Sequence, residues 1–193
     1  VVNGWCNDLE MEMLGINNAG SRQISNSKKE ITKPEDLKGM NIRVPGANIF
    51  IDLYRNYFGA NPTAMDFSEV YTSLQQKTID GQENPLHSLV ANSTFEVCHY
   101  IAVTNHVYSP MCMIMSNQAW DSMPPEDQQI FMDCLKEAET YQKELVRAQK
   151  DKAEQKLKDK GCEITHPDIT QFAEKVKPVY DKYPQFSGLV NQI

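Results

Sequence analysis

An α/β fold is predicted by three features of the sequence. Short apolar runs alternate with amphipathic segments between Gly20 and Trp120, glycines close several of those segments, and one long helix-favouring stretch follows from Pro124 to Lys160. Pro34-Glu35-Asp36-Leu37-Lys38-Gly39 has proline at the first helical position, acids in the first turn and glycine at the stop, which predicts one or two helical turns. A strand is expected next, over 41–44.

Ile49, Phe50, Leu53, Tyr54 and Tyr57 recur at helical spacing and stop at Gly59, so a helix with one buried face is expected over 47–58. Short strands are expected over 63–65 and 79–82, with a helix over 68–76 between them and Ser68 as its N-cap. A helix after Pro85 and strands near 97–103 and 111–115 continue the alternation. The stretch over 124–160 reads as one very long helix, about 50 Å at 1.5 Å per residue, which bends or bridges two lobes. A coiled coil would need a sustained a/d repeat, yet beyond Tyr141 and Leu145 the stretch is mostly charged, with only Ala148, Ala153 and Leu157 on one side, so its second half is expected to lie on a surface. The tail after Cys162 is expected to pack along the outside of a lobe.

The chain has 193 residues, 40% hydrophobic and 23% charged, enough for one good core or two modest ones. No segment approaches the roughly 20 apolar residues needed to span a bilayer. The first residues, Val1-Val2-Asn3-Gly4-Trp5, show no basic region followed by an apolar one, so any signal peptide is expected to have been removed or never included. A formal net charge of -7 argues against nucleic-acid binding, which needs a basic surface to displace phosphate counterions. Acidity is compatible with an anionic ligand, because affinity depends on a few positive groups held in a cleft. Cys6, Cys98, Cys112, Cys134 and Cys162 are odd in number and match no zinc spacing, and most read as small buried hydrophobes. There is no Gly-x-Ser-x-Gly elbow, phosphate loop or His-Glu-x-x-His helix, so no cofactor, metal or catalytic residue is expected.

Only four arginines occur, Arg22, Arg43, Arg55 and Arg147. Arg43 ends the expected strand Asn41-Ile42-Arg43-Val44, and in open α/β sheets the carboxyl ends of strands face the ligand crevice. A guanidinium there can clasp a carboxylate through two parallel hydrogen bonds, which lysine cannot do. The bland alternative is a surface arginine in a salt bridge.

Three runs raise Arg43 above that alternative: 34–45 (Pro-Glu-Asp-Leu-Lys-Gly-Met-Asn-Ile-Arg-Val-Pro), 59–71 (Gly-Ala-Asn-Pro-Thr-Ala-Met-Asp-Phe-Ser-Glu-Val-Tyr) and 80–85 (Asp-Gly-Gln-Glu-Asn-Pro). With Phe95-Glu96-Val97 and Thr104-Asn105-His106, their order and spacing resemble the DctP-type solute receptors of TRAP transporters over nearly the whole chain. The resemblance implies a periplasmic-binding-protein-like two-lobe fold that captures a small organic acid outside the cytoplasm and delivers it to membrane permease subunits, with no catalysis. It places the main ion pair to the substrate carboxylate on Arg43, a second arginine contact on Arg22, an amide hydrogen bond on Asn84, a pocket wall on Phe67 and a supporting role on His106. Asn84 is also good turn chemistry, Phe67 could be core, and His106 could be a structural histidine.

Two departures accompany the resemblance. Such receptors carry a further N-terminal lobe, so residues 1–20 and 110–149 are expected to be remnants of lobe I, with 21–109 and 150–193 forming lobe II. One lobe alone is expected to leave Arg43 facing water. Gly46 stands where a polar side chain is common, which leaves open which acid is bound. The alternative is an interaction or sensor module that reuses this fold without transport.

Overall fold

The computed structural model describes residues 2–184. A helix α1 (Val2–Asp8) precedes the long strand β1 (Met11–Asn26). A 3-10 turn (Pro34–Leu37) then leads into β2 (Asn41–Val44). Next come α2 (Asn48–Asp52), continued by a π-helical turn (Leu53–Tyr57), then β3 (Asn61–Ala64), α3 (Phe67–Gln75), β4 (Gly81–Asn84) and α4 (Leu86–Ala91). The remaining elements are β5 (Tyr100–Ser116), α5 (Asn117–Asp121), α6 (Pro125–Asp159), β6 (Glu163–Thr165), α7 (Ile169–Val176) and α8 (Val179–Lys182).

Six strands form one mixed α/β sheet in the order β3-β2-β4-β1-β5-β6. β2 runs parallel to β3 and β4, and β5 parallel to β6, whereas β1 is antiparallel to β4. The parallel β2, β3 and β4 require helical crossovers, which α2 with its π turn and α3 provide. Gly81 fits where backbones crowd: a Cβ there would lie 2.5 Å from the Ser25 carbonyl oxygen and 2.8 Å from Asn26 Cβ.

The chain divides into two compact units. One comprises the residues up to Gly20 with Tyr108–Lys152, the other Ser21–Val107 and the residues from Ala153 onward. In the second unit one cluster joins Ile24, Ile42, Val44 and Ala102 to Tyr54, Phe58 and Phe172. A second joins Leu86, Leu89 and Ile101 to Ala153, Leu157 and Cys162, and a third joins Val70, Leu74, Ile79 and Cys98. Ile101 and Ala102 enter different clusters because consecutive strand residues point to opposite faces.

Several local expectations are corrected. α3 begins at Phe67, with Asp66 rather than Ser68 at the N-cap. β4 starts at Gly81, and Ile79 lies in a core cluster instead. The two strands expected around 97–115 are one strand, β5, preceded by a 3-10 turn (Thr94–Glu96). The helix expected over 47–58 changes to π-helical winding after Asp52, which buries Leu53, Tyr54 and Phe58 while Ile49 stays exposed. Along α6, Ala153 and Leu157, on the one apolar side of the charged half, are buried, whereas Tyr141 and Leu145 are exposed. The tail does more than cover a lobe, since β6 pairs with β5 and Phe172 and Val179 are buried. The part of it over 185–193 lies outside the described residues. No helix among the described residues is long and apolar enough to cross a membrane.

Candidate functional site

β4 has the sequence Gly-Gln-Glu-Asn, contains no apolar side chain, and is buried at every position. A wholly polar strand in a sheet interior costs free energy unless its groups are paired, so its partners define the site. The register sorts them by face. Arg43 lies opposite Gln82, Gln82 opposite Ser25, and Asn84 opposite Gln23, so these residues share one face. Glu83 lies opposite Ile24, and with Arg22 it belongs to the other face.

On the first face Arg43 is 6% exposed. Its Nε and Nη2 donate to the Met65 carbonyl oxygen at 2.9 and 2.7 Å, leaving Nη1 and one Nη2 hydrogen uncommitted. The Phe67 ring stacks against the guanidinium at 5.7 Å from its centroid. Among the described residues no carboxylate forms an ion pair with Arg43. Burial lowers its basicity, Glu83 opposes that effect, Arg22 adds to it, and Asp66 opposes it more weakly. Asn84 Nδ2 donates to Gln82 Oε1 at 2.6 Å, and Gln82 Nε2 donates to Ser25 Oγ at 2.8 Å. Gln23 Nε2 donates to Asn105 Oδ1 at 2.8 Å, and the Asn105 backbone N–H donates to Gln23 Oε1 at 2.9 Å.

On the second face Arg22 is held from three directions by one residue. Its Nε donates to Glu83 Oε2, and its Nη2 donates to Glu83 Oε1 at 2.6 Å and to the Glu83 carbonyl at 2.7 Å. The Glu83 side chain is fully buried. His106 Nε2 lies 3.5 Å from Glu83 Oε2 and 3.2 Å from the Tyr54 hydroxyl, while its Nδ1 lies 2.7 Å from Thr104 Oγ1. Burial, assisted by the Glu83 charge, raises the Tyr54 phenol pKa well above its usual value, so Tyr54 stays protonated.

All five residues singled out in the sequence lie in the second unit. Arg43, Phe67 and Asn84 belong together, and Arg22 and His106 form a second group around Glu83. Two expectations change. Arg43 does not face water, because Met65 and Phe67 cover it within its own unit. Phe67 is not core, being 40% exposed. Sequence reasoning missed Glu83, Tyr54, Gln82 and the Met65 carbonyl as parts of the site. The absence of apolar residues from the Gln-Glu-Asn run was the one signal that pointed to Glu83 and Gln82.

A separate cavity of about 440 Å³ lies in the same unit, lined by Leu53, Phe58, Phe172, Val176 and Tyr180, with Thr104, Asn105 and His106 at one side. Neither arginine lines it, so it offers no cation to a carboxylate. Among the described residues no group of three or more histidine, cysteine, aspartate or glutamate side chains could hold a metal ion.

The model of the DctP family, bacterial extracellular solute-binding protein family 7, matches residues 2–185. The chain belongs to the DctP family. It is 35% identical over 180 residues to the 2,3-diketo-L-gulonate-binding periplasmic protein YiaO of Escherichia coli, covering 90% of this chain and 55% of that protein. A TRAP periplasmic solute-binding protein from Sulfitobacter sp. NAS-14.1, solved with bound β-D-galacturonate, superposes with a TM-score of 0.93 at 34% identity, covering 98% of this chain and 64% of that one. Another from Ralstonia eutropha H16, solved with bound (S)-2-acetolactate, gives a TM-score of 0.90 at 29% identity, covering 95% and 61%. The chain thus spans about half the length of the curated relatives it matches. DctP-family proteins are solute-binding receptors rather than enzymes, and the named relatives are periplasmic.

Proposed function

We propose that this DctP-family chain is the ligand-gripping part of a periplasmic solute receptor that captures a small organic acid and delivers it to a TRAP-type membrane permease. The observation that carries the reading is Arg43, a buried guanidinium with donors uncommitted and no carboxylate partner among the described residues. A cation held this way gains most from an anion that accepts its remaining N–H groups, because charge-assisted bonds strengthen where water is excluded. Arg43 binds the carboxylate, Phe67 closes the wall beside it, and Asn84 donates its uncommitted amide hydrogen. Arg22 and His106 complete the site from the other sheet face. The acids bound by the Sulfitobacter and Ralstonia proteins each carry a carboxyl group, which agrees with this chemistry.

The same reading assigns the unit built on 21–107 and the residues after 152 to lobe II, and the other unit to remnants of lobe I. In support, the first unit exposes Tyr108, Met111, Met113 and Ile114 along β5, and leaves Asn17 Oδ1, Asn117 Oδ1 and Glu139 Oε1 buried without a hydrogen-bond partner.

A thermal-shift screen of organic acids against the chain and its Arg43→Ala variant tests the proposal. An acid at 100 times its Kd is expected to add about 2.7 kcal/mol of stability to the wild-type chain. The variant is expected to show no shift. An undiminished shift in the variant would overturn the role of Arg43, and no shift with any acid would overturn the receptor reading.

A further inference from the structure

The cavity of about 440 Å³ in the second unit is lined from four elements, the π-helical turn, β5, α7 and α8, and neither arginine reaches it. Its size falls within the roughly 300–1,000 Å³ of small-molecule sites. None of the residues lining it is an acid, a lysine or an arginine. Phe58 and Phe172 make a rigid wall, since both are buried and their rings meet edge-on at 5.8 Å between centroids. His106 has its ring nitrogens engaged by Tyr54 and Thr104, so it adds a flat surface rather than a donor. Ile169 and Tyr180, each about half exposed, flank an opening to solvent. One side of the cavity offers a donor: Asn105 Oδ1 accepts from Gln23, and no hydrogen bond among the described residues uses Asn105 Nδ2.

We propose that this cavity is a second ligand site, for a small neutral molecule with an aromatic or alicyclic body and one oxygen that accepts from Asn105 Nδ2. It is separate from the carboxylate site and does not depend on the receptor reading. Water fills such a space poorly, because each buried water needs roughly two to four polar partners, whereas an apolar body replaces it without loss. An anion is disfavoured, since a carboxylate buried without a cation loses its hydration and gains no partner. Walls contributed by four elements around one volume suit a compact molecule rather than a docked helix or strand. The occupant would also touch a residue that braces the carboxylate site, because the Asn105 backbone N–H and Oδ1 both bond Gln23, which lies opposite Asn84.

The test follows backbone amides by proton–nitrogen NMR while toluene, benzyl alcohol or benzoate is added to the full chain. Toluene and benzyl alcohol are expected to give saturable shifts over 104–106 and 169–180. Benzoate is expected to leave those amides in place, whatever it does at Arg43. Asn105 has a φ of 46°, in the left-handed region, so Asn105→Gly keeps the backbone and removes the amide. Benzyl alcohol is then expected to bind about fivefold more weakly, the worth of one hydrogen bond, while toluene is unaffected. Ala173→Phe fills the cavity from the exposed side of α7 and is expected to abolish both shifts, with circular dichroism confirming the fold. Shifts that survive Ala173→Phe overturn the proposal, because binding is then elsewhere. Equal weakening of toluene and benzyl alcohol by Asn105→Gly overturns the assigned oxygen contact, and benzoate shifting the cavity amides as strongly as benzyl alcohol overturns the ligand class. No saturable shift with either neutral probe overturns the site itself and leaves the cavity to residues 185–193 or to a second copy of the chain, which sedimentation velocity tells apart.

Discussion

Tyr54 illustrates how one atom can matter within a buried polar group. Its ring belongs to the hydrophobic cluster under the sheet and meets Phe58 edge-on at 5.3 Å between centroids. Its hydroxyl, in contrast, lies 3.2 Å from His106 Nε2 beside the Glu83 carboxylate. The helical spacing of apolar residues in the sequence predicts the buried ring and says nothing of the hydroxyl. Tyr54→Phe leaves the packing intact and deprives His106 of a partner. It is expected to lower the stability of the chain by about 1 kcal/mol, the usual contribution of one hydrogen bond. Urea unfolding measures it, and a loss near zero would mean that His106 finds another partner. Legibility differs among the site residues for the same reason. Arg43 could be read because arginine is scarce here and ends a strand, whereas the face on which Arg22 sits depends on the pairing of β1 with β4, a contact between residues about sixty positions apart.

At the scale of elements, α6 is the instructive case. Its existence and ends were plain in the sequence, and Pro125–Asp159 agrees with the expected stretch within a residue at each end. The apolar side of its charged half, Ala153 and Leu157, was legible too, whereas the exposure of Tyr141 and Leu145 depends on what lies against each turn rather than on the helix itself. Leu157 is fully buried against Leu86, Leu89 and Ile101, so Leu157→Ala is expected to cost about 2–5 kcal/mol. Tyr141 is two-thirds exposed, and Tyr141→Ala is expected to change stability by no more than about 0.5 kcal/mol. Chemical denaturation of the two variants checks the contrast, and a larger loss at Tyr141 would mean that its turn of α6 is covered in solution. β4 is the complementary case. Its polar sequence gives no apolar alternation, and only its place between β2 and β1 explains why four such residues can be buried.

For the whole molecule, the five cysteines report on the packing of both units at once. All five are free; Cys112 and Cys134 are exposed, and Cys6, Cys98 and Cys162 are buried. Burial pushes the Cys98 thiol up to about 12 and raises that of Cys162 as well, so neither forms appreciable thiolate at neutral pH. Ellman's reagent at pH 8 is expected to label two thiols quickly and the other three only after denaturant is added. Fast labelling of a third would mean that one of the buried clusters opens in solution.

What the sequence determined by itself is the family, the α/β class, the long helix and the place of Arg43 in the strand over 41–44. These depend on local composition and on the order of short motifs, which survive in one dimension. The tertiary structure decided the division of the site between two sheet faces, the clamp of Glu83 on Arg22 and the shielding of Arg43 by Met65 and Phe67. Each of these is set by strand register or by a contact between residues distant in the chain, and register follows from which strands become neighbours in the sheet.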